Sequence, residues 1–122
     1  MSALVWITAV YVVWTKFLDC SSTMRHVRTA EAETNAFARR LMRRIGFGRA
    51  VWGIFGFVTV WTVAIAASVL ATGNRWAALG YAALALLVGT VQLAVARTNS
   101  TGRFDVISRA VLRLHVGRAA RR

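Results

Sequence analysis

Apolar residues are concentrated in three long runs along the chain, and polar or arginine-rich stretches separate these runs. The first run covers residues 3–18, has no charge before Lys16 and continues as a helix to about residue 20. The second covers 50–74 without a formal charge, and the third covers 76–96. A helix needs roughly 17 to 25 predominantly apolar residues to cross a bilayer. The pattern therefore predicts an all-α integral membrane protein with three transmembrane helices, at about residues 3–20, 50–72 and 76–96.

Small side chains recur at helical spacing in the second and third runs. Only the short Gly73-Asn74-Arg75 link separates these runs, which predicts that they form a hairpin of adjacent, antiparallel helices. Small residues let helices approach closely where lipid provides no hydrophobic drive, and an amide on the same face can hydrogen-bond to a neighbouring helix. The predicted helix-packing positions are Gly53, Gly56, Ala78, Ala82, Ala85, Gly89 and Gln92.

Two segments outside the runs have the pattern of amphipathic helices on the cytoplasmic membrane face. Within residues 29–46, Phe37, Leu41 and Ile45 are spaced four apart, with arginines largely on the opposite side. Residues 103–118 repeat this arrangement in the tail. We expect the arginines of both segments to contact anionic lipid headgroups or an acidic partner surface. These arginines are Arg39, Arg40, Arg43, Arg44, Arg109 and Arg113.

Charge then predicts how the chain is threaded. The 16 Lys and Arg residues against four Asp and Glu give a net charge of +12. Basic residues are concentrated in 16–49 and 97–122, whereas the link between the second and third runs contains only Arg75. Under the positive-inside rule the N-terminus lies outside and the C-terminus lies in the cytoplasm. Nucleic acid is not predicted as a partner, because the aromatic residues lie in the apolar runs rather than among the arginines.

One face of the first helix is polar. Thr8, Tyr11, Thr15, Asp19 and Ser22 occupy a stripe about 80° wide at the rotation of an α-helix. A carboxylate within or at the edge of a membrane is costly to keep, which makes Asp19 a candidate functional group. The alternative is that Asp19 lies at headgroup level in an ion pair with Lys16, which contributes little.

Polar residues that follow the first helix form a candidate site: Asp19, Thr23, Glu33 and Asn35. Carboxylates with an amide could hold a hard cation, but the spacing matches no ligand motif, and we predict no metal site. No phosphate-binding glycine loop or catalytic triad is evident, so the sequence identifies neither a cofactor nor a catalytic residue, and it favours a non-catalytic protein.

A family resemblance groups the same four residues. Asp19 and Thr23 form D-x-x-x-T, and Glu33 and Asn35 form E-x-N. This resembles a family of small, uncharacterised prokaryotic membrane proteins, in which proline follows E-x-N. Here Ala36 stands in that place. The resemblance covers about residues 14–50 and implies a prokaryotic inner (plasma) membrane, but no activity.

The sequence therefore predicts one membrane domain over residues 1–122. Its expected function is that of an assembly or accessory subunit that binds partner helices and anionic lipid, either as a homo-oligomer or within a larger membrane complex. The alternative is a membrane-embedded site for a cation, a proton or a lipid headgroup, built on Asp19, Glu33 and Asn35 and serving transport or a lipid-directed reaction.

Overall fold

The computed structural model describes residues 1–27 and 36–101, which form four α-helices. They are α1 (Ser2–Ser22), α2 (Ala36–Ile45), α3 (Phe47–Ala71) and α4 (Arg75–Thr101), and α1 continues into a π-helical turn at Thr23–Val27. Three helices, namely α1 with its π-helical turn, α3 and α4, are long and apolar enough to cross a membrane. At about 1.5 Å per residue, α3 is roughly 37 Å long, against about 30 Å of hydrocarbon. The predicted all-helical class with three such helices is confirmed at this level.

The third long helix extends beyond its apolar run. Its described part reaches Thr101, whereas the sequence pattern predicts an end near residue 96. The hydroxyls of Thr98, Ser100 and Thr101 each donate to the backbone carbonyl four residues earlier. These polar side chains are therefore hydrogen-bonded within α4 itself. The predicted tail helix at 103–118 and residues 29–35 of the predicted segment 29–46 lie outside the described residues.

Two glycines with positive φ make the tight connections. Gly46 (φ 97°) separates α2 from α3, and Gly73 (φ 62°) lies between α3 and α4. Side chains with a Cβ are disfavoured in this region of backbone space. Asn74 then begins α4, because its Oδ1 accepts the backbone N–H groups of Trp76 (2.9 Å) and Ala77 (3.4 Å).

The first helix is central to the packing. It runs parallel to α4 and antiparallel to α3, and it contacts both of them more extensively than they contact each other. The short link does leave α3 and α4 antiparallel, and the Tyr81 hydroxyl on α4 donates to the Thr62 carbonyl on α3 at 3.3 Å. The closest partner of α4 is nevertheless α1, because its small and polar residues face the alanine-rich side of α4.

Two apolar clusters hold the ends of the bundle. One joins α1, α3 and α4 around Val5, Ala9, Ala66 and Ala78. The other joins the end of α1 to α2 and the start of α3, and its buried members are Cys20, Ala38, Met42, Ala50 and Val51. Apolar packing therefore holds α1 near both of its ends. In the middle of the α1–α4 interface the contact is polar, between Thr15 and Gln92.

The bundle packs against one side of α2. Ala38 and Met42 are buried against the second cluster, and Leu41 packs partly against it. Phe37 is 71% exposed and Ile45 is 45% exposed, so these two residues point away from the cluster, and their predicted contact with the membrane surface stays a prediction. The small Ala38 and the flexible Met42 suit the confined space that the Gly46 turn leaves between α2 and α3.

Candidate functional site

The interface between α1 and α4 has a regular register. Two hydrogen-bonded pairs across it, Thr15 with Gln92 and Ser22 with Asn99, are each separated by 77 residues along the chain. The members of each helix are seven residues apart, which is the repeat of a left-handed coiled coil. With this offset, positions 5, 8, 12, 15, 19 and 22 of α1 align with positions 82, 85, 89, 92, 96 and 99 of α4. The polar stripe predicted on α1 is therefore part of a helix-pairing surface.

The Thr15–Gln92 pair lies in the middle of this interface. Thr15 is 1% exposed, and its hydroxyl lies 2.9 Å from Gln92 Oε1, 2.9 Å from the Tyr11 carbonyl and 3.1 Å from the Val12 carbonyl. The Thr15 hydroxyl has one proton and can donate a strong hydrogen bond to only one of these three oxygen atoms. If the Gln92 amide is rotated so that its NH₂ faces Thr15, Gln92 donates to the hydroxyl while Thr15 donates to its own helix, and both groups are satisfied.

A second polar contact lies two helical turns further along. Asn99 Nδ2 donates to Thr23 Oγ1 at 3.2 Å and approaches Ser22 Oγ at 3.5 Å. Both hydroxyl residues are 6% exposed. The side-chain amides of α4 thus meet hydroxyl groups of α1 at two levels, which fixes both the rotation and the register of the two helices.

The small residues of α4 allow this close approach. Ala78, Ala82, Ala85 and Gly89 are all buried in the bundle. A Cβ added to Gly89 would overlap the ring of Tyr11, lying 2.6 Å from its Cδ1 atom. The ring of Tyr11 on α1 therefore packs directly against the backbone of Gly89.

The glycines of α3 have a different environment. Gly53 and Gly56 are exposed, and no neighbour among residues 1–27 and 36–101 lies within 4 Å of a Cβ built at either position. Among the described helices they are thus not at a helix–helix contact, and their role in packing stays a prediction.

The acidic candidate Asp19 is engaged within its own helix. Lys16 Nζ lies 2.6 Å from Asp19 Oδ2, and the two side chains are 16% and 13% exposed. Thr23, one turn later, accepts a hydrogen bond from Asn99 and so faces α4. Glu33 and Asn35 lie outside the described residues. Of the four grouped residues, the structure therefore describes two, and these two bind different partners.

The basic candidates are divided in the same way. Arg40, Arg43 and Arg44 are exposed on α2, and Arg39 is half-buried. Arg109 and Arg113 of the tail lie outside the described residues. The described arginines of α2 lie at the end of the bundle where α1 ends and α3 begins, because the buried side of α2 packs there.

A groove between α1 and α4 opens at this same end. Its volume is about 650 Å³, and its walls include Phe17 and Leu93, with Arg25, His26 and Arg97 at the end nearest the helix termini. His26 Nδ1 lies 3.1 Å from the Ser22 carbonyl, which can only accept, so this nitrogen carries the proton of the bond. The groove is basic at one end and mainly apolar along the rest of its length, where the Thr90 hydroxyl donates to the Leu86 carbonyl of its own helix.

Sequence patterns miss part of this arrangement. They assign no role to Asn99, and they identify Arg25 and Arg97 only as topology signals. The available signal is the seven-residue repeat of polar residues on both helices, Thr8, Thr15 and Ser22 against Gln92 and Asn99. In a membrane helix such a repeat indicates a paired face.

Neither metal chemistry nor a known relative adds to this picture. Within 1–27 and 36–101, no three His, Cys, Asp or Glu side chains lie close enough together to hold a metal ion. Comparison of the chain with protein-family models, with curated proteins and with solved structures finds no match. Function is therefore inferred from the α1–α4 interface, the groove and the exposed α3 surface.

Proposed function

We propose that the chain is a small non-catalytic membrane protein that acts as an assembly or accessory subunit, and that α3 receives a helix from a second copy or from a larger membrane complex. The observation that supports this is the open surface at Gly53 and Gly56. Exposed glycines lower helix stability by up to about 1 kcal/mol relative to alanine, and these two give no contact in return with the described part of the chain. Their value lies in the close approach of another helix.

The coverage of the three long helices agrees with this proposal. In the most apolar 18-residue window of α3, 11% of the residues are buried, against 33% in α1 with its π-helical turn and 28% in α4. Phe57, Val60 and Trp61 extend the open surface of α3, and each is more than half exposed. An incoming helix would therefore find apolar bulk beside the glycines, which suits van der Waals packing in lipid.

The proposed setting is a prokaryotic inner (plasma) membrane, with the N-terminus outside and the C-terminus in the cytoplasm. The arginines of α2 then lie on the side where anionic lipid attracts juxtamembrane basic segments. The single Arg75 lies at the other end, where its guanidinium carbon is 5.5 Å from the Trp76 ring centroid. An aromatic residue beside a basic one is typical of a membrane interface.

The test is the oligomeric state in mild detergent, measured by size-exclusion chromatography with light scattering. The double substitution Gly53→Leu and Gly56→Leu should reduce the wild-type assembly to monomers. Gly80→Leu is the matched control, because Gly80 is also an exposed helical glycine where an added Cβ would have no neighbour within 4 Å among the described residues, but it lies on α4. A wild-type protein that is monomeric and captures no partner from its native membrane would contradict the proposal.

A second candidate function rests on the pair in α1. The Lys16 and Asp19 side chains are mostly buried within a helix apolar enough to span a membrane, and charged groups in such positions are costly to keep. A cation, proton or headgroup site on Asp19, Glu33 and Asn35 would account for that cost. Asp19→Asn should then abolish transport or turnover and leave the oligomer intact, whereas loss of the oligomer alone would assign Asp19 a structural role.

A further inference from the structure

We infer that the groove between α1 and α4 binds one anionic phospholipid, with its phosphate between Arg25 and Arg97 and an acyl chain along Phe17 and Leu93. This site is separate from the α3 surface and from the arginines of α2. It rests on the proposed insertion of the chain in a membrane, and it does not depend on assembly through α3.

The basic end of the groove has the chemistry of a phosphate site. Arg25 and His26 of the π-helical turn and Arg97 of α4 line it, together with the hydroxyl residues Ser21 and Ser100. Guanidinium groups bind phosphate through charge-assisted, often bidentate hydrogen bonds. The described residues that line the groove include no aspartate or glutamate. Three nitrogen-bearing side chains, those of Arg25, His26 and Arg97, therefore line the end that would receive an anion.

The depth of Arg97 fits a lipid headgroup. Residues 76–96, between Arg75 and Arg97, carry no formal charge. At about 1.5 Å per residue the two arginines are roughly 33 Å apart along α4, close to the 30 Å or so of a hydrocarbon core. If Arg75 lies at one interface, Arg97 lies at the other, at the level of the phosphates. Arg25, in the π-helical turn that continues α1, lines the same groove as Arg97.

The rest of the groove fits an acyl chain and explains why a lipid is the favoured occupant over a free phosphate. Below the arginines the walls include Phe17, Leu18, Leu93 and Ala94, which offer apolar surface only. Phe17 is held in place by ring contacts with Trp14 and Trp52, each with centroids 6.0 Å apart. A phosphate alone would leave this surface uncovered, whereas a diacyl lipid covers it and supplies the anion at the correct end.

The experiment is a lipid titration of the detergent-purified full chain, followed by native mass spectrometry. The probes are phosphatidylglycerol, phosphatidylcholine and glycerol phosphate. We expect one phosphatidylglycerol per chain, bound at least about tenfold more tightly than phosphatidylcholine, and no saturable binding of glycerol phosphate. Equal affinity for the two lipids would overturn the assignment of the phosphate to the arginines. Tight binding of glycerol phosphate would instead indicate a simple anion site.

Substitutions locate the site. Arg25→Gln with Arg97→Gln should weaken phosphatidylglycerol binding at least about tenfold, whereas Arg75→Gln removes a charge at the far end and should leave the affinity unchanged. Thr90→Trp should fill the groove, since the exposed Thr90 lines it, and should reduce binding with all arginines present. Leu84→Trp, on an exposed part of α4 outside the groove, is its control. Wild-type affinity in both the double arginine variant and Thr90→Trp would overturn the inference.

The same spectra distinguish this inference from the proposed function, because they report the number of chains as well as bound lipid. Monomers that carry one phosphatidylglycerol each would support the groove and contradict assembly. Oligomers without a selectively bound lipid would support assembly and contradict the groove.

Discussion

The ring of Tyr11 on α1 occupies the space into which a side chain at Gly89 on α4 would project. Gly89→Ala should therefore push the two helices apart or displace the ring. Overpacking of this kind costs about 1 to 3 kcal/mol. The free energy of unfolding in mixed micelles, measured by denaturing-detergent titration, should fall by that amount.

Two further variants test whether the overlap is the cause. Gly80→Ala adds the same methyl group at an exposed position of α4 and should change the free energy of unfolding by no more than about 1 kcal/mol, in the stabilising direction. Tyr11→Ala should remove the additional cost of Gly89→Ala when the two are combined. If Gly89→Ala and Gly80→Ala lower the free energy of unfolding equally, the cause is the added methyl group on the helix and not its overlap with the Tyr11 ring.

The hydrogen bond between Thr15 and Gln92 should appear as a coupling energy. In a double-mutant cycle with Thr15→Val and Gln92→Leu, we expect a coupling of about 0.5 to 1.5 kcal/mol, in the range measured for interhelical hydrogen bonds in membranes. Thr90→Val combined with Gln92→Leu is the control cycle, because the Thr90 hydroxyl donates to the Leu86 carbonyl of its own helix. A coupling of zero in the first cycle would mean that the bond does not form.

The parallel register of α1 and α4 can be tested by engineered disulfides. In a Cys20→Ser background, the pairs Thr15→Cys with Gln92→Cys and Ser22→Cys with Asn99→Cys should cross-link on mild oxidation, since their side chains are in contact. Thr8→Cys with Asn99→Cys should not, because a parallel arrangement separates these positions by about two coiled-coil repeats. Migration on non-reducing gels after a specific cleavage between the two sites reports the result.

The packed face of α2 leads to a contrast between two of its residues. Met42→Ala removes a side chain that is 4% exposed and should cost about 2 to 5 kcal/mol. Phe37→Ala removes a larger side chain that is 71% exposed and should change the free energy of unfolding by less than about 0.5 kcal/mol. Measurements in detergent micelles that reverse this order would mean that α2 packs on the bundle through Phe37 and not through Met42.

Much of the fold could be predicted because it depends on composition over long windows. The three apolar runs and the small-residue face of α4 are visible in the sequence, since hydrocarbon thickness and close helix approach impose clear requirements on residue type. The partner of that face was less visible. Chain connectivity favours α3 as the neighbour of α4, whereas the match between the hydroxyl repeat of α1 and the amides Gln92 and Asn99 makes α1 its closest partner.

The candidate site was harder to predict, for physical reasons. Whether Asp19 binds Lys16 or a distant group depends on side-chain rotamers at a helix end, which the spacing of residues does not determine. The groove depends on how side chains of two helices and of the π-helical turn at Thr23–Val27 come together, and helical periodicity does not predict a π-helical turn. On α2, the choice between two apolar faces depends on the Gly46 turn and on the space beside α3, and neither is encoded in helical periodicity.

The 77-residue offset between α1 and α4 also has a consequence for biosynthesis. At about 5 to 20 residues per second, α4 leaves the ribosome roughly 4 to 15 s after α1. During that interval the hydroxyls of α1 can be satisfied without a partner, because Thr8, Thr15 and Ser22 each reach a carbonyl of their own helix. The amides of Gln92 and Asn99 have more hydrogen-bonding groups than a hydroxyl and cost more to bury in a bilayer. They enter the membrane last, when the hydroxyls of α1 that bind them are already in position.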